Sequence, residues 1–126
     1  MREAITAPGA PAAIGPYSPA LRVGNFLFLS GQIPLDPTTG NLIAGDVQTQ
    51  TEQVMRNLAA LLSAAGAGFE HVVRTTIFLT DINDFEAVNE IYGQRLSDPP
   101  PTRATVEVAR LPRDVRVEID AIAVLD

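Results

Sequence analysis

Near the C-terminal end of the chain, an arginine and a glutamate sit in two stretches of strict polar–apolar alternation. From Thr102 to Val108, Arg103, Thr105 and Glu107 alternate with Ala104, Val106 and Val108. After a break at Leu111-Pro112-Arg113-Asp114, Val115, Val117, Ile119, Ala121 and Ala123 alternate with Arg116, Glu118 and Asp120. A guanidinium presents a planar fork of donors suited to a carboxylate. A glutamate can orient a water and, when ionised, accept its proton. Arg103 beside Glu118 is therefore a candidate site for a small carboxylate substrate and an attacking water, and Arg103 would favour the ionised glutamate. The competing reading is a surface salt bridge between Arg103 and Glu107 or Glu118.

Positioning the two groups requires a particular pair of elements. Period-two patterning predicts half-buried strands, and the short proline-containing break between them predicts an antiparallel pair. If their apolar sides are buried together, Arg103, Thr105 and Glu118 emerge on the same sheet surface, with Glu107, Arg116 and Asp120.

Upstream, Ala7 to Pro19 holds prolines at 8, 11, 16 and 19 and glycines at 9 and 15. Proline fixes φ and donates no backbone hydrogen bond, which predicts a semi-rigid loop. Its Tyr17 either holds a phenol over a site or packs its ring on the sheet. A short edge strand is expected over 2–7. Ala20–Val23, a Gly24-Asn25 turn and Phe26–Ser30 predict a hairpin. The unbroken FLFL run predicts a strand covered on both faces, by helices on one side and by a neighbouring subunit on the other. Ser30-Gly31 closes that strand, and its glycine permits close approach of a ligand or backbone. A turn-rich loop is expected from Ser30 to Gly45.

Asp46 caps a predicted helix whose core stripe is Val47, Val54, Leu58, Leu61, Leu62 and Ala65, ending at Gly66. Val72–Thr80 reads as a strand. A second helix is expected from Asn83 or Asp84 to about Ser97, burying Phe85, Val88, Tyr92 and Leu96. Asn89 flanks that stripe, either as a solvated residue or as a polar contact. The order β-β-β-α-β-α-β-β predicts a single α+β domain over 1–126, two-layered, with helices on one face of the sheet.

The totals exclude several chemistries. The 126 residues are 46% apolar and 19% charged, ordinary for a folded chain and unlike disorder. There is no cysteine and one histidine, His71, which leaves no thiolate metal site and no basis for a histidine cluster or a Ser-His-Asp triad within one chain. A formal charge of −6 disfavours broad contact with phosphate backbones. No secretory signal and no apolar run of about 20 residues is visible, so a cytoplasmic location is expected.

Six stretches, taken together and in order, resemble the Rid (YjgF) family of enamine/imine deaminases. They are APAAIGPYSPA at 10–20, SGQIPLDPTTG at 30–40, TTIFLTDINDF at 75–85, Asn89 to Tyr92, PTRATVEVARLP at 101–112 and VEIDAIA at 117–123. Arg103 resembles the arginine of the archetypal RidA branch. The resemblance implies a chorismate-mutase-like fold with a mixed sheet, a homotrimer with active sites between subunits, and no cofactor or metal. The implied substrates are 2-aminoacrylate, 2-aminocrotonate and their imine tautomers, released by pyridoxal-phosphate enzymes. The implied reaction is hydrolysis to a 2-keto acid and ammonia, a form of metabolite damage control.

On the same basis Arg103 binds the substrate carboxylate, and Glu118 holds and polarises the water. Tyr17, Ser30, Gly31 and Asn89 line the pocket. Thr105 stands where many archetypal members carry cysteine, so a thiolate route is not available. Rival readings are a non-catalytic ligand-binding trimer, an endoribonuclease or translation inhibitor, and a holdase. Absence of the arginine would favour the first. The acidic charge and the lone histidine disfavour the second.

Overall fold

The computed structural model describes residues 1–126 as one six-stranded mixed sheet with two helices on one face. The strands are β1 (Arg2–Ile5), β2 (Ala20–Val23), β3 (Phe26–Gln32), β4 (Val72–Leu79), β5 (Thr102–Glu107) and β6 (Val117–Val124). The helices are α1 (Val47–Ala64) and α2 (Phe85–Gly93). The α+β class and the element order match the sequence reading.

Local chemistry explains most boundaries. The β2–β3 turn has Gly24 at φ 59, the left-handed conformation a tight hairpin needs at its first central residue. Asp46 caps α1 by accepting from the Thr49 amide at 2.8 Å, and this hydrogen bond lowers its carboxyl pKa. Helix α2 stops at Gly93, short of Ser97. Glycine is a poor helix former, and Gln94 and Leu96 turn onto the carbonyls of Ile91 and Gly93 in tighter three-residue steps. Leu96 nonetheless packs against the core.

The core lies between sheet and helices. Leu27, Leu29, Ile77, Leu79, Val117, Ile119, Ala121 and Ala123 meet Val54, Met55, Leu58, Leu61 and Leu62 of α1 and Val88 and Tyr92 of α2. The opposite sheet face carries no layer. There Phe26 and Phe28 are 49% and 42% exposed. The FLFL strand is thus covered on one side only by its own chain.

The predicted antiparallel pairing of the last two strands does not form. The strand order is β1-β2-β3-β6-β4-β5, so β4 separates them. Strand β5 pairs parallel with β4 after the crossover through α2, and β6 runs antiparallel to both β3 and β4. A parallel neighbour requires such a crossover, and the residues between β5 and β6 must span two strand spacings, roughly 10 Å. Burial explains the order. Alternate residues of β6 are buried from Val117 to Ala123, as suits a central strand, whereas β5 leaves Val106 and Glu107 exposed at the edge.

Register then overturns the predicted shared face. Thr75 lies opposite both Arg103 and Ala121, and Ile77 lies opposite both Thr105 and Ile119. Cross-strand partners share a face, so Arg103 and Thr105 lie on the helix side. Glu118 lies opposite Phe78, whose other partner is Val106, and so belongs to the uncovered face. Glu107 and Arg116 also turn to the helix layer. Glu107 accepts from the Ile82 amide at 2.9 Å, and Arg116 binds Asp84 at 2.9 and 3.0 Å.

Candidate active site

One group of candidate residues gathers around Glu118. Strand β3 continues through Ser30 and Gly31 to Gln32 instead of closing at Ser30, and its pairing with β6 is irregular between Leu29 and Gln32. The register advances three residues on β3, from Leu29 to Gln32, against two on β6, from Ala121 to Ile119. That is a β-bulge, which re-aims the side chains beside it.

The proline-rich loop is fastened to this bulge. Ser30 Oγ donates to the Ser18 carbonyl at 2.7 Å, and the Ser30 amide donates to the Pro19 carbonyl at 3.0 Å. Within the loop the Ile14 amide donates to the Tyr17 hydroxyl at 3.3 Å. Tyr17, Ser30, Gly31 and Glu118 line one cavity of about 440 Å³, with Ile14 and Arg113 among the other walls. Tyr17 is 50% exposed, so it is a wall of the cavity and not a ring buried on the sheet.

Gly31 is required for space. A Cβ at this position would overlap the Glu118 carboxylate, with Cδ at 2.8 Å. Glu118 is half-buried, and burial is the main cause that raises its carboxyl pKa above the usual range, with the charge of Asp120 adding to it. Arg103 does not offset these effects, because it lies on the other side of the sheet. The expected assistance from Arg103 is therefore absent within one chain.

The second group lies against α2. Arg103 Nη1 donates to Asn89 Oδ1 at 2.7 Å. Its guanidinium carbon lies 5.3 Å from the Phe85 ring centroid and 5.4 Å from that of Tyr92. No carboxylate pairs with Arg103, although it is half-buried. The salt bridges considered for it do not form. Thr105, on the same face, has a buried hydroxyl without any hydrogen-bond partner.

The seven candidate residues thus fall into two groups, each a candidate half-site, with Tyr17, Ser30, Gly31 and Glu118 on one side and Asn89, Arg103 and Thr105 on the other. The first offers a carboxylate over a roomy cavity, the second a guanidinium free to accept an anion. The sequence reading missed Phe85 and Tyr92 as partners of Arg103, treating them only as core. Their signal was the i, i+4, i+7 spacing of Phe85, Asn89 and Tyr92, which places all three on one helix face. His71 has another task. It accepts from the Gly68 amide at 3.1 Å in the turn before β4. No group of three or more His, Cys, Asp or Glu side chains is placed to hold a metal ion, and no helix is long and apolar enough to cross a membrane.

Comparison with known proteins adds four findings. The sequence model described as endoribonuclease L-PSP matches residues 7–125. The mouse protein named 2-iminobutanoate/2-iminopropanoate deaminase is 49% identical over 124 residues, covering 98% of this chain and 92% of the mouse protein. Among solved structures, Escherichia coli TdcF with bound serine superposes with a TM-score of 0.92 at 43% identity, covering 98% of this chain and 99% of TdcF. RidA from an Antarctic Psychrobacter gives a TM-score of 0.94 at 43% identity, covering 98% and 99% of the two chains.

Proposed function

The chain belongs to the endoribonuclease L-PSP family, the Rid (YjgF) family of the sequence resemblance, and on that premise we propose that it hydrolyses 2-aminoacrylate and 2-aminocrotonate, through their imines, to 2-keto acids and ammonia. The observation that carries the reading is the Arg103 guanidinium, held by Asn89 and two aromatic rings and paired with no carboxylate. A half-buried cation in that state is suited to an anionic ligand. The relatives named deaminases and the serine bound to TdcF agree with a small substrate carrying a carboxylate.

In this reading Arg103 takes the substrate carboxylate through donors that Asn89 leaves free. The Thr105 hydroxyl lies beside the substrate. Glu118, over Gly31, orients a water toward C2 of the imine and accepts a proton as the oxygen adds. Return of that proton to nitrogen completes the carbinolamine, and transfer of its hydroxyl proton through Glu118 to nitrogen then expels ammonia and leaves the keto group. The imine carbon is already electrophilic, so positioning supplies much of the acceleration. Tyr17 and Ser30 bound the pocket on the Glu118 side.

The two half-sites belong to different copies in this reading, and the assembly is a homotrimer. Two features support association between copies, and the number three rests on the family resemblance. Glu118 and Arg103 occupy opposite faces of one sheet. The uncovered face is apolar at Phe26, Phe28 and Val106. Exposed apolar area of that kind marks association surfaces.

The test is release of 2-keto acid from 2-aminoacrylate generated in situ, corrected for spontaneous decay. Acceleration is expected from the wild-type chain, with a large loss in Arg103→Ala and in Glu118→Ala at unchanged oligomeric state. A wild-type rate equal to background would overturn the reading.

A further inference from the structure

Arg103, Tyr92 and Thr75 form a closed circuit. Thr75 is directly opposite Arg103 on the β4–β5 ladder. The Thr75 hydroxyl hydrogen-bonds the Tyr92 hydroxyl at 2.6 Å, and both groups are buried. The Tyr92 ring returns to the Arg103 guanidinium at 5.4 Å. Phe85 meets the same guanidinium at 5.3 Å from two turns earlier along the stripe, and Asn89 between them takes one Nη1 hydrogen.

We propose that the Thr75–Tyr92 hydrogen bond is a positioning device that presets the Arg103 guanidinium for a carboxylate. The inference rests on the reading of Arg103 as the substrate anchor, and it assigns functions to two residues that touch no reacting atom. A free arginine side chain occupies many rotamers, and each must be abandoned when an anion binds. Stacking on aromatic faces removes that freedom beforehand. The aromatic face must itself be fixed, and a phenol pinned to the strand that carries the neighbouring pair position fixes it. The ring of Tyr92 could pack equally well as phenylalanine, so packing alone does not require the hydroxyl. Buried hydroxyls need partners, and here the partner is the residue beside the arginine it serves.

The test compares Tyr92→Phe and Thr75→Val with the wild-type chain, each made also in an Arg103→Lys background. Either substitution is expected to raise KM about fivefold, the worth of one ordinary hydrogen bond, while kcat changes less than about twofold. In the Arg103→Lys background the same substitutions are expected to add nothing, because coupled residues are non-additive. An equal loss in both backgrounds, or an unchanged KM, would overturn the proposal.

A readout independent of turnover is NMR of the arginine side-chain nitrogens. Separate, slowly exchanging Nη signals for Arg103 are expected in the wild-type chain and averaged ones in Tyr92→Phe and Thr75→Val. A wild-type chain without deaminase activity but with this difference would refute the substrate assignment and leave the positioning intact. Identical signals in folded variants, judged by circular dichroism, would refute the positioning itself.

Discussion

Arg103 and Glu118 lie on opposite faces of one β-sheet, on strands held apart by β4. Thr75 faces Arg103 with the helices, and Phe78 faces Glu118 away from them. No side-chain rotation brings the two groups together through a sheet. If both serve one reaction, each site takes its arginine from one copy and its glutamate from another. Arg103→Ala and Glu118→Ala, inactive alone, should therefore complement when co-refolded. Random assembly gives about a quarter of the sites both native groups. Keto-acid release from the mixture measures this, and a mixture as inactive as its components would count against shared sites.

The Glu118 carboxyl is raised by burial and by Asp120. A raised acid contributes its stability below the unfolded pKa and loses it as pH rises through the folded one. Wild type should thus lose stability relative to Glu118→Gln as pH climbs through and above the ordinary glutamate range. Denaturant midpoints at several pH values check the sign. In the proposed mechanism activity requires the ionised form, and the charge of Asp120 should push the acid limb of kcat/KM upward. Asp120→Asn should move that limb to lower pH, and an unmoved limb would mean that Glu118 does not set it.

A Cβ at Gly31 would collide with the Glu118 carboxylate. Gly31→Ala should displace that carboxylate while the strand persists, since Gly31 has no positive φ. A misplacement of about 1 Å costs on the order of 100-fold in rate. The expected result is that loss with a thermal midpoint near wild type, read by keto-acid release and calorimetry.

Thr105 carries a buried hydroxyl with no partner. Leaving such a group unpaired costs about 1–3 kcal/mol. Thr105→Val should therefore equal or exceed wild-type stability in urea. If the hydroxyl meets the substrate, the same variant should raise KM. Higher stability with unchanged KM would restrict Thr105 to the fold.

Phe28 stands exposed at the centre of the uncovered sheet face and stacks on Phe26 with ring centroids 6.1 Å apart. A charge placed there should oppose association without touching the core beneath. Phe28→Glu is expected to sediment as a monomer with wild-type circular dichroism and to lose activity. An intact oligomer would move the interface elsewhere.

Element types and order were legible because each rests on local chemistry. Asp46, Gly24 and the period-two runs act within a few residues of themselves. The Glu118 half-site was legible as residue identities but not as a bulge, since Ser30-Gly31 reads equally well as the end of a strand. The Arg103 half-site was partly hidden, because Phe85 and Tyr92 have the spacing of ordinary core residues.

Alternation by itself determined which side chains share a face within β5 and within β6. It carried no information on how one face relates to the other, since that depends on the strand between them. The tertiary structure decided this by inserting β4, driven by the crossover that a parallel β5 requires and by the burial that suits β6 to the centre. A shift of one residue in register moves every side chain to the opposite face. Long-range pairing therefore fixed Arg103 and Glu118 on opposite sides, and no local signal in the sequence encodes that pairing.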